Sequence, residues 1–365
     1  MQRPVTEARS ARGAAGTLDV SILSIATANP EYRVNQRDAW EGAKAVFPHL
    51  ASMEALYINT GIETRYSCVP PDWCKMPHSW EERTEIYQRH ALALLEGVAV
   101  KAIGDAGLSV ADIDMIVLNT ITGLSIPSLD AKLINRLSFR PTVERLPIFG
   151  LGCGGGVGGL GRAAQLARGC PGANILFLTV DLCSLCARPN DPSVAMFVSA
   201  ALFGDGAAAI VLRASANPVD SAGNRPLIKA VGEHCWQNTE HIMGWDIKSD
   251  GFGVVLSPEL PALMRNALRP AVDIFLDRHG LSLDEFEGFL LHPGGRKILE
   301  TAEHVLDIDR DLVAHSWAVL RDYGNMSSVT SMFVLDRAVR SEGKGQHLLA
   351  AFGPGFSAYF IALTL

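Results

Sequence analysis

The sequence predicts an α/β protein built as two related halves, each with helices covering a sheet, and three observations carry that prediction. The first is an internal repeat. Gly107-Leu108-Ser109 lies in AGLSVADIDMIVLNTITG and Gly280-Leu281-Ser282 in HGLSLDEFEGFLLHPGG, an offset of 280 − 107 = 173 residues, and GANILFLTVD at Gly172 meets GQHLLAAFGP at Gly345 with the same offset. The second is the order of patterns. Each half runs amphipathic stretch, apolar run, loop, helix-like pattern, apolar run, which predicts parallel strand pairing with helices on the sheet faces. The third is bulk. A chain of 365 residues, 48% hydrophobic and 19% charged with 34 Gly, fills about two domain-sized units and lies far from disordered or fibrous compositions.

Along the chain, residues 1–17 read as a disordered lead-in, because their Arg residues are not followed by the apolar core of a secretory signal. Residues 18–225 form the first half and 226–365 the second. In the first half, GLGCGGGVGGLG (150–161) follows the apolar PIF and leads into RAAQLARG. Strand, tight turn and helix display Cys153 at a helix N-terminus, where small neighbours admit a substrate and the helix dipole favours thiolate. Gly154, Gly156 and Gly159 also satisfy G-x-G-x-x-G, with Asp181 22 residues beyond Gly159, the pattern of a dinucleotide site. So dense a Gly run matches that pattern unavoidably, and here it lies mid-chain with a Cys in the turn. Cys183 and Cys186 form C-x-x-C, but no second pair follows at zinc spacing.

In the second half, His292 ends the apolar run of FLLHPGGRKIL, at the end of a strand where α/β folds build sites. Asn325 lies in DYGNMSSVTSMFVL and, taken alone, reads as a helix N-cap. The uncharged tail after His347 is broken by Gly353-Pro354-Gly355, so it predicts two buried strands joined by a turn rather than a membrane span.

A net charge of −7 without a long basic run disfavours nucleic acid and anionic membranes as partners. Seven Cys, an odd number spread over a long chain, predict free thiols in a reducing, cytoplasmic compartment. The repeat brings Cys153 and Asn325 to matching loops, one residue off the 173 offset, with His292 after the other repeated strand. A thiol, an imidazole and a carboxamide suit acyl transfer through a thioester: the imidazolium stabilises the thiolate, and His and Asn donate to an enolate or tetrahedral oxyanion.

LHPGGRKIL, YGNMSS, ALFGDGAAA and the closing FGPGF resemble, together and over nearly the whole chain from Leu18, the type III polyketide synthases, chalcone synthase-like members of the thiolase superfamily. The resemblance implies a thiolase fold of two αβαβα halves in five layers, a homodimer, and a catalytic triad of Cys153, His292 and Asn325. It implies coenzyme A thioesters as substrates, acyl-CoA and malonyl-CoA, with no metal and no cofactor. Phe203 matches the family's gatekeeping Phe; Met243 and Gly244 fall where a second family Phe has no clear counterpart. Thr122, Cys183, Cys186 and Ser327 are implied pocket residues, together with Gly294, Gly353, Pro354 and Gly355, and Ile126 matches a residue that reaches the partner subunit's site. INTGIETRY stands where plant members carry a basic stretch for the coenzyme A phosphates; Glu63 lies near a family Lys and Arg65 is retained. That departure, with LCSLC and MGWD, makes the chain similar to bacterial members.

The activity so implied is iterative decarboxylative condensation of malonyl-CoA onto an acyl-CoA starter, expected to be a medium or long fatty acyl group, giving an alkylpyrone or alkylresorcinol. The alternatives are a ketoacyl synthase III-like condensing enzyme, a small-starter synthase making phloroglucinol- or pyrone-type products, and a catalytically silent subunit of the same fold.

Overall fold

The computed structural model describes residues 18–215, 225–341 and 343–365. The expected lead-in at 1–17 lies outside the described residues, and the boundary near 225 adjoins residues that are also outside them. The first half contains β1 (Val20–Ala28), β2 (Tyr32–Asn35), α1 (Gln36–Val46), α2 (Glu54–Ile58), β3 (Thr64–Ser67), α3 (Trp80–Asp105) and β4 (Met115–Asn119). It continues through α4 (Leu129–Leu137), β5 (Glu144–Ile148), α5 (Gly155–Gly169), β6 (Ile175–Leu182), α6 (Val194–Leu202) and β7 (Asp205–Ala214). The second half contains β8 (Leu227–Cys235), β9 (Met243–Lys248), β10 (Gly251–Leu256), α7 (Leu260–His279), β11 (Phe286–Leu291) and α8 (Arg296–Leu306). It closes with α9 (Ala314–Tyr323), α10 (Thr330–Arg340), β12 (Gln346–Gly353) and β13 (Ser357–Thr364).

The repeated Gly-Leu-Ser has a physical reason. Gly107 and Gly280 take left-handed φ of 72° and 65° just past α3 and α7, a conformation that ends a helix at little cost only for Gly. Ser109 and Ser282 then form capping boxes with Asp112 and Glu285 on a single 3-10 turn that aims the chain into β4 and β11.

Strand order is β5-β4-β6-β7-β1 in the first half and β8-β13-β12-β11 in the second, joined where β1 meets β8 at Val20/Ile228 and Ser21/Leu227. The expected parallel pairing is found between the two repeated strands of each half, β4 with β6 and β11 with β12, and between β4 and β5; the strands outside the repeated unit pair antiparallel, in β6–β7, β7–β1, β12–β13 and β13–β8. The turn between β12 and β13 is far too short for a crossover, so it reverses the chain.

Five layers follow from where apolar faces meet. Val157, Leu160 and Ala164 of α5 and Met332, Val334 and Leu335 of α10 pack between Phe177 and Ile210 in the first half's part of the sheet and Leu349 and Ile361 in the second half's part. On the outer faces, α3 (Ala91, Leu95, Val98) covers Ile116 and Leu178, while α7 and α8 (Leu268, Phe275, Leu299) cover Phe289, Leu348 and Phe360. Each fully buried Leu, Ile or Phe contributes about 1.5–3 kcal/mol. A smaller cluster of Trp40, Phe47, Tyr57 and Phe197 ties together α1, α2 and α6. The Gly run serves this packing: a Cβ on Gly156 would lie 2.1 Å from the Ser328 carbonyl oxygen, so α5 approaches the second half only through hydrogen.

Candidate active site

Cys153 sits in a 3-10 turn, Gly152–Gly154, immediately before α5, and is 8% exposed. Its loop is closed from the other half: a Cβ on Gly152 would lie 2.4 Å from Pro354 Cδ, and one on Gly154 2.4 Å from the Tyr359 ring. His292 is the first residue past β11, where its backbone N–H donates to the Ala350 carbonyl of β12 at 2.8 Å. Its ring is buried, and neither Nδ1 nor Nε2 has a hydrogen-bond partner. Asn325 is held on both sides by its backbone, donating to Leu202 O while accepting from Gly204 N–H, each at 2.9 Å. Its Oδ1 accepts from Ser327 N–H at 2.8 Å and its Nδ2 donates to Gly294 O at 3.3 Å. Nδ2 carries two hydrogens, so one is left for a ligand. Asn325 is therefore not a helix N-cap; it braces the turn that begins at Ser327.

Cys153, His292 and Asn325 line one cavity of about 1010 Å³, with Ser327, Phe203, Cys183, Met243, Gly244, Gly294 and Pro354 also in its wall. The volume lies at the upper end of the roughly 300–1,000 Å³ of small-molecule sites. Burial pushes the Cys153 thiol up to about 12, and the Asp181 charge adds to this, against hydrogen bonds from Ser327 and Asn325. Burial holds the His292 imidazole down to about 4. The expectation of a thiolate favoured by the helix end is thereby corrected: loss of solvent outweighs the dipole unless a positive charge comes into contact.

Asp181, beneath Cys153 at the end of β6, accepts from the N–H groups of Ile121 at 2.8 Å and Ser328 at 3.0 Å and from Thr122 Oγ1 at 3.3 Å. Burial still pushes its carboxyl up to about 6. The dinucleotide reading fails on this geometry. Asp181 is inaccessible, and Cβ positions on Gly155, Gly156 and Gly159 fall on Asn119, Ser328 and Phe177, leaving no space for a pyrophosphate.

Several expected pocket residues are not brought to this cavity. Thr122 is buried, donating to Asp181 and accepting from Leu182 N–H at 2.8 Å. Gly353 is pressed against the Leu151 carbonyl, where a Cβ would come within 2.2 Å, and Gly355 lies in the turn outside the lining. Cys186 and Arg65 instead line an adjoining, mostly apolar cavity of about 270 Å³, which shares Cys183, Phe203, Trp245 and Val254 with the larger one. Cys183 and Cys186 are free and buried. Ile126 is 98% exposed. Sequence reasoning missed Trp245, Met264 and the pair Arg296 and Lys297, all in the wall of the larger cavity. The signal for Trp245 lay in the unmatched MGWD segment, and that for the cations in the same GGRKIL that follows His292.

The chain matches the family model for the N-terminal domain of chalcone and stilbene synthases over residues 5–216 and that for their C-terminal domain over 228–363. This chain belongs to the chalcone and stilbene synthase family. A putative chalcone synthase of Bacillus subtilis is 34% identical, the match covering 94% of this chain and 98% of that protein. A 1,3,6,8-tetrahydroxynaphthalene synthase of Streptomyces peucetius is 36% identical, over 94% and 92%. The crystal structure of the Streptomyces coelicolor 1,3,6,8-tetrahydroxynaphthalene synthase, a bacterial type III polyketide synthase, superposes with a TM-score of 0.89 at 30% identity, over 94% of this chain and 99% of that one. The five layers are thus the thiolase fold of the type III polyketide synthases. Among the described residues, no helix is long and apolar enough to cross a membrane.

Proposed function

We propose that this chain extends an acyl-CoA starter with malonyl-CoA, using Cys153 as nucleophile and His292 and Asn325 as oxyanion donors. The observation that carries the proposal is a buried imidazole with two unpartnered nitrogens, in the wall of the cavity that also holds the thiol and the carboxamide. Buried polar groups are ordinarily paired. Two unpaired nitrogens here suit a group that receives its partner from a substrate.

In the loading step, the Cys153 sulfur attacks the thioester carbonyl, and the C–S bond to coenzyme A breaks as the free thiol leaves. Malonyl-CoA then loses CO2, and its electron pair passes onto the thioester as an enolate whose oxygen accepts from His292 and the free Asn325 N–H. The enolate carbon attacks the Cys153-bound carbonyl and releases the thiolate. These steps need no metal or redox cofactor. Only interactions stronger for the enolate than for the bound thioester accelerate them.

The starter we propose is a medium or long fatty acyl group, giving an alkylpyrone or alkylresorcinol. It is supported by the large, chiefly apolar cavity and by the second cavity beyond Cys183, Phe203 and Trp245, space for a chain past the reacting carbons. Similarity to tetrahydroxynaphthalene synthases favours a second reading, a small starter. Incubation with a ladder of acyl-CoAs and labelled malonyl-CoA separates them: the expected preference is for long aliphatic starters, and a preference for short or aromatic ones overturns the fatty-acyl assignment. Substitution of malonyl carrier protein for malonyl-CoA tests the ketoacyl synthase alternative. The proposed assembly is a homodimer with the exposed Ile126 facing the partner's cavity.

A further inference from the structure

We infer that Arg296 and Lys297 hold the phosphates of the coenzyme A thioester, a task the segment before Tyr66 does not perform in this chain; the inference rests on the acyl-CoA reading above. Arg65, the cation that the sequence offered for the task, is 5% exposed. Its guanidinium donates to the carbonyls of Ala200 at 2.7 Å, Ala201 at 2.8 Å and Phe203 at 3.3 Å, and to the Gln36 side chain. It is a strut between β3 and the end of α6, and its one unpartnered N–H, at Nε, is buried. The residues of the same stretch that do reach the wall of the larger cavity, Ala55, Leu56, Asn59 and Thr60, are uncharged, and Glu63 is anionic.

Among the described residues that line the large cavity, Arg296 and Lys297 are the only Lys or Arg side chains. His292, Gly294, Gly295, Arg296, Lys297 and Ile298 all contribute to its wall, so one stretch of chain runs from the buried imidazole to two exposed cations. A coenzyme A thioester likewise carries its reacting carbonyl and its phosphates at opposite ends of the pantetheine arm. The charge there is not internally neutralised. Glu300, also in the wall, pairs with Arg296 at 2.7 Å, Arg310 has a nearer partner in Glu303 at 3.3 Å, and Lys297 makes no ion pair among the described residues, so its charge is the unneutralised one. Both cations also occupy the first turn of α8, where the helix dipole disfavours positive charge. An anion bound at the rim removes both penalties, and Arg and Lys are the side chains that bind phosphate.

A phosphopantetheine thioester can arrive free, as coenzyme A, or on a carrier protein; we assign the pair to coenzyme A. The test compares the full-length wild type with Arg296→Ala/Lys297→Ala and with the charge-keeping Arg296→Lys/Lys297→Arg. Substrates are acyl-CoA with malonyl-CoA, the matching phosphate-free N-acetylcysteamine thioesters, and an acyl carrier protein; calorimetry measures coenzyme A binding directly. The Ala pair is expected to raise KM for the CoA thioesters about tenfold or more, to weaken coenzyme A binding in step, and to leave kcat and the KM for phosphate-free thioesters near wild type. The charge-keeping pair should restore the wild-type KM. An unchanged KM for CoA thioesters, an equal loss with phosphate-free substrates, or a loss confined to the carrier protein overturns the assignment. If the wild type turns over no thioester at all, the synthase reading fails, while the calorimetric comparison still decides this one.

Discussion

Cys153 and His292 each occupy a site that penalises its own charge, and each lacks what the other would bring. Burial, outweighing the hydrogen bonds from Ser327 and Asn325, leaves a thiol near 12, and burial leaves an imidazole near 4, a neutral pair. Proton transfer from sulfur to nitrogen creates two opposite charges in one dry cavity, and their contact attraction offsets the desolvation of both. The reactive state therefore depends on the partner. Alkylation of Cys153 by iodoacetamide, followed by mass spectrometry of its peptide, is expected to vary little between pH 6 and 8 in the wild type. In His292→Gln the thiol returns to its burial-dominated value, so the rate should fall about tenfold for each unit of pH lost. Identical, steep profiles in both proteins would show that the imidazole does not carry the countercharge.

At the scale of elements, the short residues around Cys153 are explained by packing before chemistry. Gly156→Ala drives a methyl group to within 2.1 Å of the Ser328 carbonyl oxygen, which is backbone and cannot swing aside. The cost is expected to be about 2–4 kcal/mol, read as a lowered urea midpoint with unchanged slope; wild-type stability would contradict the close approach of α5 to the second half. How much of this was legible in the sequence varies by element. The repeat was legible because Gly107 and Gly280 stop helices and Ser109 and Ser282 cap turns, both local effects of one or two side chains. The β12–β13 pair was legible because Gly-Pro-Gly admits nothing but a turn. Strand direction in β6–β7 and β7–β1 was not, since apolar alternation carries no sign of orientation. Nor was the fate of Thr122, Gly353 and Arg65, whose residue types suit a pocket but whose hydrogen bonds and contacts are spent on neighbours distant in the chain.

At the scale of the whole molecule, the cavity is a product of duplication. Cys153 comes from the loop before α5, while His292 and Asn325 come from the loops after β11 and before α10, so neither half holds the set alone. Ile126 and Leu124, in the loop after β4, and Phe149, just past the neighbouring β5, are exposed apolar side chains of the first half. Such side chains favour burial against a second copy. Ile126→Asp is expected to lower the dimer fraction in light scattering and the turnover of long-chain starters together; an unchanged assembly and starter profile would remove that residue from the proposed interface.

The most direct test of the central claim is to mix the protein with an acyl-CoA alone, quench in acid, and weigh its peptides. The acyl mass should appear on the Cys153 peptide and be absent in Cys153→Ala, and subsequent malonyl-CoA should remove it from wild type but leave it in place in Asn325→Ala. Acylation of another cysteine, or none, contradicts a thioester-forming site built from the two halves.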